Sequence, residues 1–128
     1  MHSPTLLQSS NRLKFDRKFH LEILKGGMNR LLLRSLPCGA HPTRIEIFFQ
    51  YVQYLQIPMK FSGVSIVDLD AKTSLSGEIA DVLRRFPNCR AFELTTLEEF
   101  TGYIVAASCS FCEDLEAADA QSAFFMMG

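Results

Sequence analysis

One stretch constrains the fold of this chain more than any other. Residues 44–70, RIEIFFQYVQYLQIPMKFSGVSIVDLD, form its longest run of strand-forming residues and contain only one proline and one glycine. β-Branched and aromatic side chains pack well on a pleated sheet. We therefore expect this stretch to form strands at the middle of the core and to act as scaffold rather than as an active site.

A helix competes with a strand over residues 43–57. Thr43 and Glu46 have the spacing of a capping box, and the apolar residues also fit a helical repeat. Residues 44–57 contain no alanine or lysine, which favours the strand. One flat strand of this length would span about 46 Å at about 3.3 Å per residue. We therefore predict a bulge or corner between Gln50 and Gln53, because Gln53 breaks the alternation.

Shorter elements surround this stretch. Residues 15–24 alternate apolar and polar side chains, with Arg17 as the exception on the apolar side, as is typical of a half-buried strand. Gly26 and Gly27 then favour the tight turn of a hairpin. Residues 75–86 predict a helix that ends before Pro87 and has an apolar face of Leu75, Ile79, Val82, Leu83 and Phe86. Further strands are predicted over residues 28–36, 61–70, 90–95 and 102–111.

The fold class that we predict is α+β. A chain of 128 residues has the length of one domain. We assign residues 1–14 to a loosely ordered lead-in that touches the body through Leu6 and Leu7, and residues 15–128 to a single domain. Its sheet is mainly antiparallel, twisted or sandwich-like, with about six to seven strands and one main helix packed on or beside it.

Charge is unevenly distributed, although the net charge is only −1. Residues 1–34 carry a net charge of +5, whereas residues 91–128 carry −7 and contain no lysine or arginine. The two ends either face each other within the domain or form a bipolar surface that attracts a charged partner. The basic hairpin could contact a nucleic-acid backbone, but its pattern is typical of an ordinary half-buried hairpin. The net charge also argues against a dedicated nucleic-acid-binding protein.

Cys109 and Cys112 form a CxxC motif. Redox pairs of this kind lie at a helix N-terminus, whereas these residues end a predicted strand and precede two acids. Residues three apart on a strand point to opposite faces, so the two sulfur atoms should diverge. A zinc site would have to recruit Cys38 and Cys89, neither of which has a cysteine partner at short spacing. We therefore predict structural cysteines and no metal or cofactor.

Two other groups are candidates for catalysis. Asp68 and Asp70 share one face of a predicted strand, and with Glu46 nearby they would suit hydrolysis or metal binding. Acids at strand ends are more often solvated turn formers. Cys38 and His41 lie three residues apart in a proline-containing loop and form a conceivable nucleophile pair, although chance also produces such spacing.

The sequence also bears on location. Its first residues contain no continuous apolar core of the length that a signal peptide needs. No stretch approaches about 18 uncharged apolar residues, so no membrane span is predicted. Four cysteines without a secretory signal are typical of reduced thiols. We expect a cytoplasmic protein.

The function that we predict is non-enzymatic binding of another protein, with a bacterial immunity or antitoxin-like inhibitor as the concrete example. The residues expected to attract a basic partner are Glu98, Glu99, Glu113, Asp114, Glu116 and Asp119. One alternative is a small-ligand-binding protein or minor hydrolase that uses a cleft in the sheet. Another is a homo-oligomeric structural module, a homodimer that forms through the apolar C-terminal residues 123–127.

Overall fold

The computed structural model describes residues 5–7, 12–24, 29–69 and 77–115, which form nine strands and one helix. The elements are β1 (Thr5–Leu6), β2 (Arg12–Leu24), β3 (Arg30–Ser35), β4 (Arg44–Gln50), β5 (Tyr54–Gln56), β6 (Lys60–Leu69), α1 (Gly77–Arg85), β7 (Arg90–Thr95), β8 (Thr101–Ala106) and β9 (Ser108–Asp114). All pairs of neighbouring strands are antiparallel. The predicted α+β class and its mainly antiparallel sheet are confirmed, with nine described strands rather than six or seven.

Corners account for most of the additional strands. β4 ends at Gln50, Tyr51 has a left-handed φ of 55°, and β5 begins at Tyr54. The corner predicted between Gln50 and Gln53 is therefore confirmed, as is the strand rather than the helix. A second corner at Ala107 separates β8 from β9. The remaining strand is β1, which lies within the predicted lead-in and pairs with β9.

The sheet closes on itself. Its strand order is β1-β9-β4-β3-β2-β6-β7-β8-β5. Because β4 continues into β5 and β8 into β9, residues 44–56 pair with residues 103–114 through both corners. Hydrogen bonds from Gln53 N to Val105 O (2.7 Å) and from Ala107 N to Gln50 O (2.8 Å) continue this pairing across the corners. The β4–β9 pair and the β5–β8 pair thereby form one continuous ladder, which closes the sheet.

One face of the closed sheet encloses the main core. Alternate residues of β4, among them Ile47 and Phe49, point into it together with Ile66 of β6 and Phe92 of β7. The rings of Phe49 and Phe92 meet edge to face, with centroids 5.5 Å apart. This apolar filling is what the sequence pattern of residues 44–70 predicted.

The opposite face of β2, β3, β4 and β9 carries a row of charges. Arg44 Nη2 lies 2.9 Å from Asp114 Oδ2, and Arg34 Nε lies 3.2 Å from Glu46 Oε2. Arg34 Nη1 also lies 3.4 Å from Glu22 Oε1. Arg44 and Glu46 are only 1% and 0% exposed. Because buried charges require partners, this row links four adjacent strands in one register.

The helix lies outside the sheet. α1 contacts β7 and β8, but none of its residues is buried. The Tyr54 hydroxyl lies 3.3 Å from Glu78 Oε2 and connects α1 to β5. The predicted helix is confirmed over Gly77–Arg85, while Leu75 lies outside the described residues. Within the described parts of the chain, no helix has the length and apolar character needed to cross a membrane.

Two other predictions fall partly or wholly outside the described residues. β2 and β3 pair from His20 to Leu24 and from Arg30 to Arg34, which confirms the hairpin. Its turn at Gly26 and Gly27 is not among the described residues, nor are the apolar C-terminal residues 123–127.

Candidate functional site

A groove of about 1110 Å³ opens where β2 separates from β3. β2 pairs with β3 only from His20 onward, whereas its preceding residues pair with β6 alone. Four parts of the chain line the groove: residues 16–20 of β2, the β3–β4 connection, the start of β6 and the β7–β8 turn. The separation of two strands therefore leaves space at this point of an otherwise closed sheet.

A β-bulge shapes one wall of the groove. Asp16 and Arg17 together stand opposite the single residue Gly63, because the register shifts between Phe15 and Lys18. Gly63 has a φ of 69°, which favours glycine. A Cβ atom at Gly63 would also lie 2.4 Å from the Leu97 side chain. Glycine therefore allows the β7–β8 turn to approach the bulge closely.

Arg17 is held at the bulge by neutral groups. Its Nε donates to Ser35 Oγ (3.0 Å), and its Nη1 donates to Thr43 Oγ1 (2.9 Å). Its Nη2 donates to the carbonyl oxygens of Leu36 (3.2 Å) and Thr43 (2.6 Å). These four bonds attach the β3–β4 connection to β2 and fix the direction of the guanidinium.

Among the described residues, the charge of Arg17 has no direct counter-ion. The residue is only 8% exposed, and no described carboxylate lies within 4.0 Å of its nitrogen atoms. Arg17 is instead connected to a carboxylate through Thr43, whose Oγ1 accepts from Arg17 and donates to Glu113 Oε2 at 2.5 Å. A buried cation without an adjacent anion is costly, so a negative charge in the groove would be stabilised here.

Further cationic and imidazole groups lie beside Arg17. His20 and Lys60 are directly opposite each other on β2 and β6, so their side chains share one face of the sheet. Lys18 is two residues from His20 and shares the same face. Both lysines are exposed, and all three residues line the groove. This arrangement concentrates positive charge along one rim.

His20 is also bonded to a carboxylate outside the groove. Its Nε2 lies 3.0 Å from Glu22 Oε1, and Arg34 contacts the same oxygen. Burial alone would raise the pKa of Glu22, but the bond to His20 and the nearby Arg34 guanidinium outweigh burial. The pKa of Glu22 is therefore lowered. Its carboxylate stays charged and holds the His20 ring through the hydrogen bond.

Aromatic rings form the apolar part of the lining. Phe19 and Phe61 stand opposite each other on β2 and β6, and both are buried in the main core. Their rings stack with centroids 6.0 Å apart and planes 16° apart. Both residues also line the groove, which therefore offers an apolar surface beside its charged rim.

Cys38 and His41 are brought together by a tight turn. Cys38 N donates to His41 O at 2.8 Å, and His41 N donates to Cys38 O at 2.6 Å. Residues directly opposite each other in an antiparallel pair direct their side chains to the same face. Both residues line the groove, and the Cys38 thiol is free and exposed. The backbone therefore pairs the two residues that the sequence singled out and places their side chains on one face.

The groove also contains acids. Asp16 and Glu98 line it, and Glu98 Oε1 accepts a hydrogen bond from Ser62 N at 3.3 Å. Against them stand Arg17, Lys18 and Lys60, so the lining carries an excess of one positive charge with neutral imidazoles. Protonation of either histidine would increase this excess.

The six acids predicted to bind a partner are placed differently from one another. Glu98 and Glu99 lie exposed in the β7–β8 turn, and Glu113 is exposed on β9. Asp114 is buried and forms an ion pair with Arg44. Glu116 and Asp119 lie outside the described residues.

The predicted grouping of Glu46 with Asp68 is not assembled. Glu46 lies on the face of β4 that carries the row of charges, whereas Asp68 has the same parity as core residues Val64 and Ile66. Asp68 Oδ2 instead lies 2.6 Å from Arg90 Nε. Asp70 is not among the described residues. The two carboxylates therefore do not converge on one cleft.

The CxxC cysteines diverge as predicted. Cys109 belongs to the main core, whereas Cys112 packs with Leu32 and Phe48 on the opposite face. Burial raises the pKa of both thiols, and nearby carboxylates raise the pKa further. Both thiols are buried and lie on opposite faces of β9, so the pair is not arranged as a redox motif.

Sequence reasoning identified Cys38 and His41, and it assigned Arg17 and Lys18 to a basic hairpin without placing them beside this pair. Lys60 belongs to no recognisable motif, and only the fold brings it opposite His20. Arg17 did give a signal, because it is the only charged residue on the apolar side of the strand predicted over residues 15–24. A charge at such a position requires either burial with partners or a break in the strand, and the structure has both.

No protein-family model matches the chain, and neither a curated protein nor a solved structure matches it. In the described ranges, no three His, Cys, Asp or Glu side chains are grouped closely enough to hold a metal ion. The fold itself defines the class: an α+β protein with a closed antiparallel sheet. The groove is its candidate site.

Proposed function

We propose that the protein is a non-enzymatic binding protein, that its site is the groove beside the β2 bulge, and that its ligand is an anion with an apolar body. The observation that carries this proposal is Arg17, a buried residue in the lining of the groove whose hydrogen bonds to the described residues go only to neutral groups. An anion bound nearby would offset the cost of burying this charge.

Shape and lining agree with such a ligand. Small-molecule sites in proteins commonly measure roughly 300–1,000 Å³ and combine an apolar lining with a few polar groups. The groove, at about 1110 Å³, has room for a ligand of that size. The lining includes the largely buried residues Phe19 and Phe61 as its apolar part, while the exposed Lys18 and Lys60 would attract the negative group.

A matched pair of probes tests this proposal. The dye 8-anilinonaphthalene-1-sulfonate carries an aromatic body and a sulfonate, and N-phenyl-1-naphthylamine has the same rings without the charge. We expect the protein to bind the sulfonate more tightly in fluorescence titrations. The double variant Lys18→Gln/Lys60→Gln should reduce that preference about tenfold, which corresponds to about 1.4 kcal/mol.

A second double variant is the control. Lys14→Gln/Arg85→Gln makes the same change in net charge, but neither residue lines the groove. It should leave the preference for the sulfonate unchanged. Near-UV circular dichroism of each variant shows whether it is folded, because partly folded states also bind this dye. If the two double variants weaken sulfonate binding equally, the groove is not the anion site.

A second candidate function is binding to a basic protein, as in a bacterial immunity or antitoxin-like inhibitor. Exposed acids lie close to the groove: Glu98 lines it, and Glu113 accepts the hydrogen bond from Thr43 that neighbours Arg17. With Glu99 they would attract a basic surface. Reversal of Glu98 and Glu99 to lysine should slow association with such a partner in stopped-flow or surface-binding measurements. An unchanged association rate would exclude this role for them.

The homodimer predicted through residues 123–127 rests on residues outside the described ranges. It remains a proposal. Truncation after Ser122 should convert a dimer to a monomer in light-scattering measurements of mass.

A further inference from the structure

We propose that Cys38 is a site of reversible thiol–disulfide exchange, with His41 as its proton carrier and a negatively charged disulfide as its reactant. The charge of this reactant rests on the proposed function of the groove. The positions of Cys38 and His41 rest on the turn that joins them.

Geometry distinguishes Cys38 from the other three cysteines. Cys109 and Cys112 are buried, and Cys89 is half-buried with its Sγ 3.9 Å from the carbonyl oxygen of Tyr51. Burial also raises the pKa of Cys89. Cys38 alone combines an exposed thiol, a place in the lining of the groove and an imidazole on the opposite position of a hydrogen-bonded pair.

The pairing of Cys38 with His41 supplies what thiol exchange requires. Directly opposite residues in such a pair have Cβ atoms about 5 Å apart and side chains on one face. A small rotation of either side chain therefore brings the sulfur within reach of a ring nitrogen. The two backbone bonds of 2.8 Å and 2.6 Å hold the pair in this register.

The exchange step is balanced without a further oxidant. His41 accepts the thiol proton, and the Cys38 sulfur attacks one sulfur atom of the disulfide. A new S–S bond forms as the old one breaks, and the departing thiolate takes the proton from His41. Cys38 is thereby oxidised to a mixed disulfide, while the released half of the reactant is reduced to a thiol. A second thiol reverses the reaction.

The groove would select the reactant by charge. Arg17, Lys18 and Lys60 line the same groove as Cys38, so a disulfide with carboxylates would be attracted and a cationic disulfide repelled. The probes are oxidised glutathione, which is net negative, and cystamine, which is positive. Intact-mass spectrometry measures the rate of adduct formation, and peptide mapping identifies the modified cysteine.

Three expected results define the proposal. Glutathione attaches to Cys38 before Cys89, and Cys38→Ser removes the fast adduct whereas Cys89→Ser does not. His41→Gln slows the reaction of Cys38 with both probes roughly 100-fold and removes a step from its pH profile. Lys18→Gln/Lys60→Gln reduces the preference for glutathione over cystamine.

The outcomes separate this proposal from the proposed function. Equal rates at Cys38 and Cys89, or a rate that is unaffected by His41→Gln, would overturn the exchange site even if the anionic dye still binds. A rate at Cys38 that depends on His41 but is equal for oxidised glutathione and cystamine would support the exchange site and overturn the anion-binding function. Near-UV circular dichroism confirms that each variant is folded before its rate is compared.

Discussion

At the scale of single residues, Arg17 marks the groove because it breaks the alternation of apolar and polar side chains along β2. Arg17 occupies a position on β2 where the alternation requires an apolar side chain. The bulge and the β3–β4 connection provide it with hydroxyl and carbonyl acceptors, but not with a carboxylate in direct contact within the described ranges. Local patterns that fail in this way are expected at functional or strained positions.

Glu22 gives a prediction for pH dependence. Its folded pKa lies below its usual value because the bonds to His20 and Arg34 outweigh burial. A lowered pKa adds stability that is present above the unfolded pKa of about 4.3 and is lost as the pH falls through the folded pKa. Glu22→Gln should therefore reduce the free energy of unfolding at pH 7, by less than about 1 kcal/mol because the carboxylate is partly exposed.

Urea unfolding from pH 7 to pH 2 measures this difference. The stability curves of the wild type and Glu22→Gln should converge at low pH. In a His20→Ala background, Glu22→Gln should have a smaller effect at pH 7. A difference that stays constant over the whole range would show that the carboxylate charge is not the cause.

At the scale of elements, the corners and the bulge decide how the strands fit together. Gly102 lies at the start of β8 beside the end of β5, and a Cβ atom there would lie 1.9 Å from the carbonyl oxygen of Gln56. That atom belongs to the backbone, so relief would require movement of a strand rather than of a side chain. The pairing of β5 with β8 therefore depends on this glycine.

Gly102→Ala should reduce the free energy of unfolding by about 3 kcal/mol, because it forces two paired strands apart. Gly39→Ala is the matched control. A Cβ atom at Gly39 meets no atom within 4 Å, so we expect a change within about 0.5 kcal/mol. Urea denaturation of both variants compares them. Similar losses in the two variants would contradict the proposed clash.

Most elements, but not their assembly, follow from local sequence. Alternation predicted β2, the glycine pair predicted a hairpin to β3, the apolar spacing predicted α1, and the exception at Gln53 predicted the corner after β4. The second corner at Ala107 was missed because the small residues around it continue a strand pattern without interruption. The groove was missed because it arises from the separation of β2 and β3, and its lining comes from residues as far apart as Asp16 and Glu98. Local periodicity carries no information on which distant residues come together in the folded chain.

At the scale of the whole molecule, closure depends on contacts between distant parts of the chain. Arg44 and Asp114 are 70 residues apart, yet they pair on neighbouring strands. Loop-closure entropy must be overcome before such pairs become favourable. The closed sheet therefore cannot be completed until β9, almost at the end of the described chain, has joined β4.

Folding should accordingly be slow for a chain of this size. Stopped-flow refolding from urea, followed by tyrosine fluorescence, should show a main phase of milliseconds to seconds rather than microseconds. The rate should not depend on protein concentration if the chain folds as a monomer. A dominant phase that is completed within the dead time would contradict the dependence on distant pairing.

The way the sheet closes also bears on aggregation. Exposed strand edges can recruit the strands of other molecules and begin fibrils. Because β4 with β5 meets β8 with β9, the terminal strands of the described sheet are the short β1 and β5, of two and three residues. The part of β2 that leaves β3 is protected differently, by a bulge and by the charge of Lys18. The bulge and Lys18, which help to form the groove, thus also discourage a strand of another molecule from pairing with β2 where β2 separates from β3.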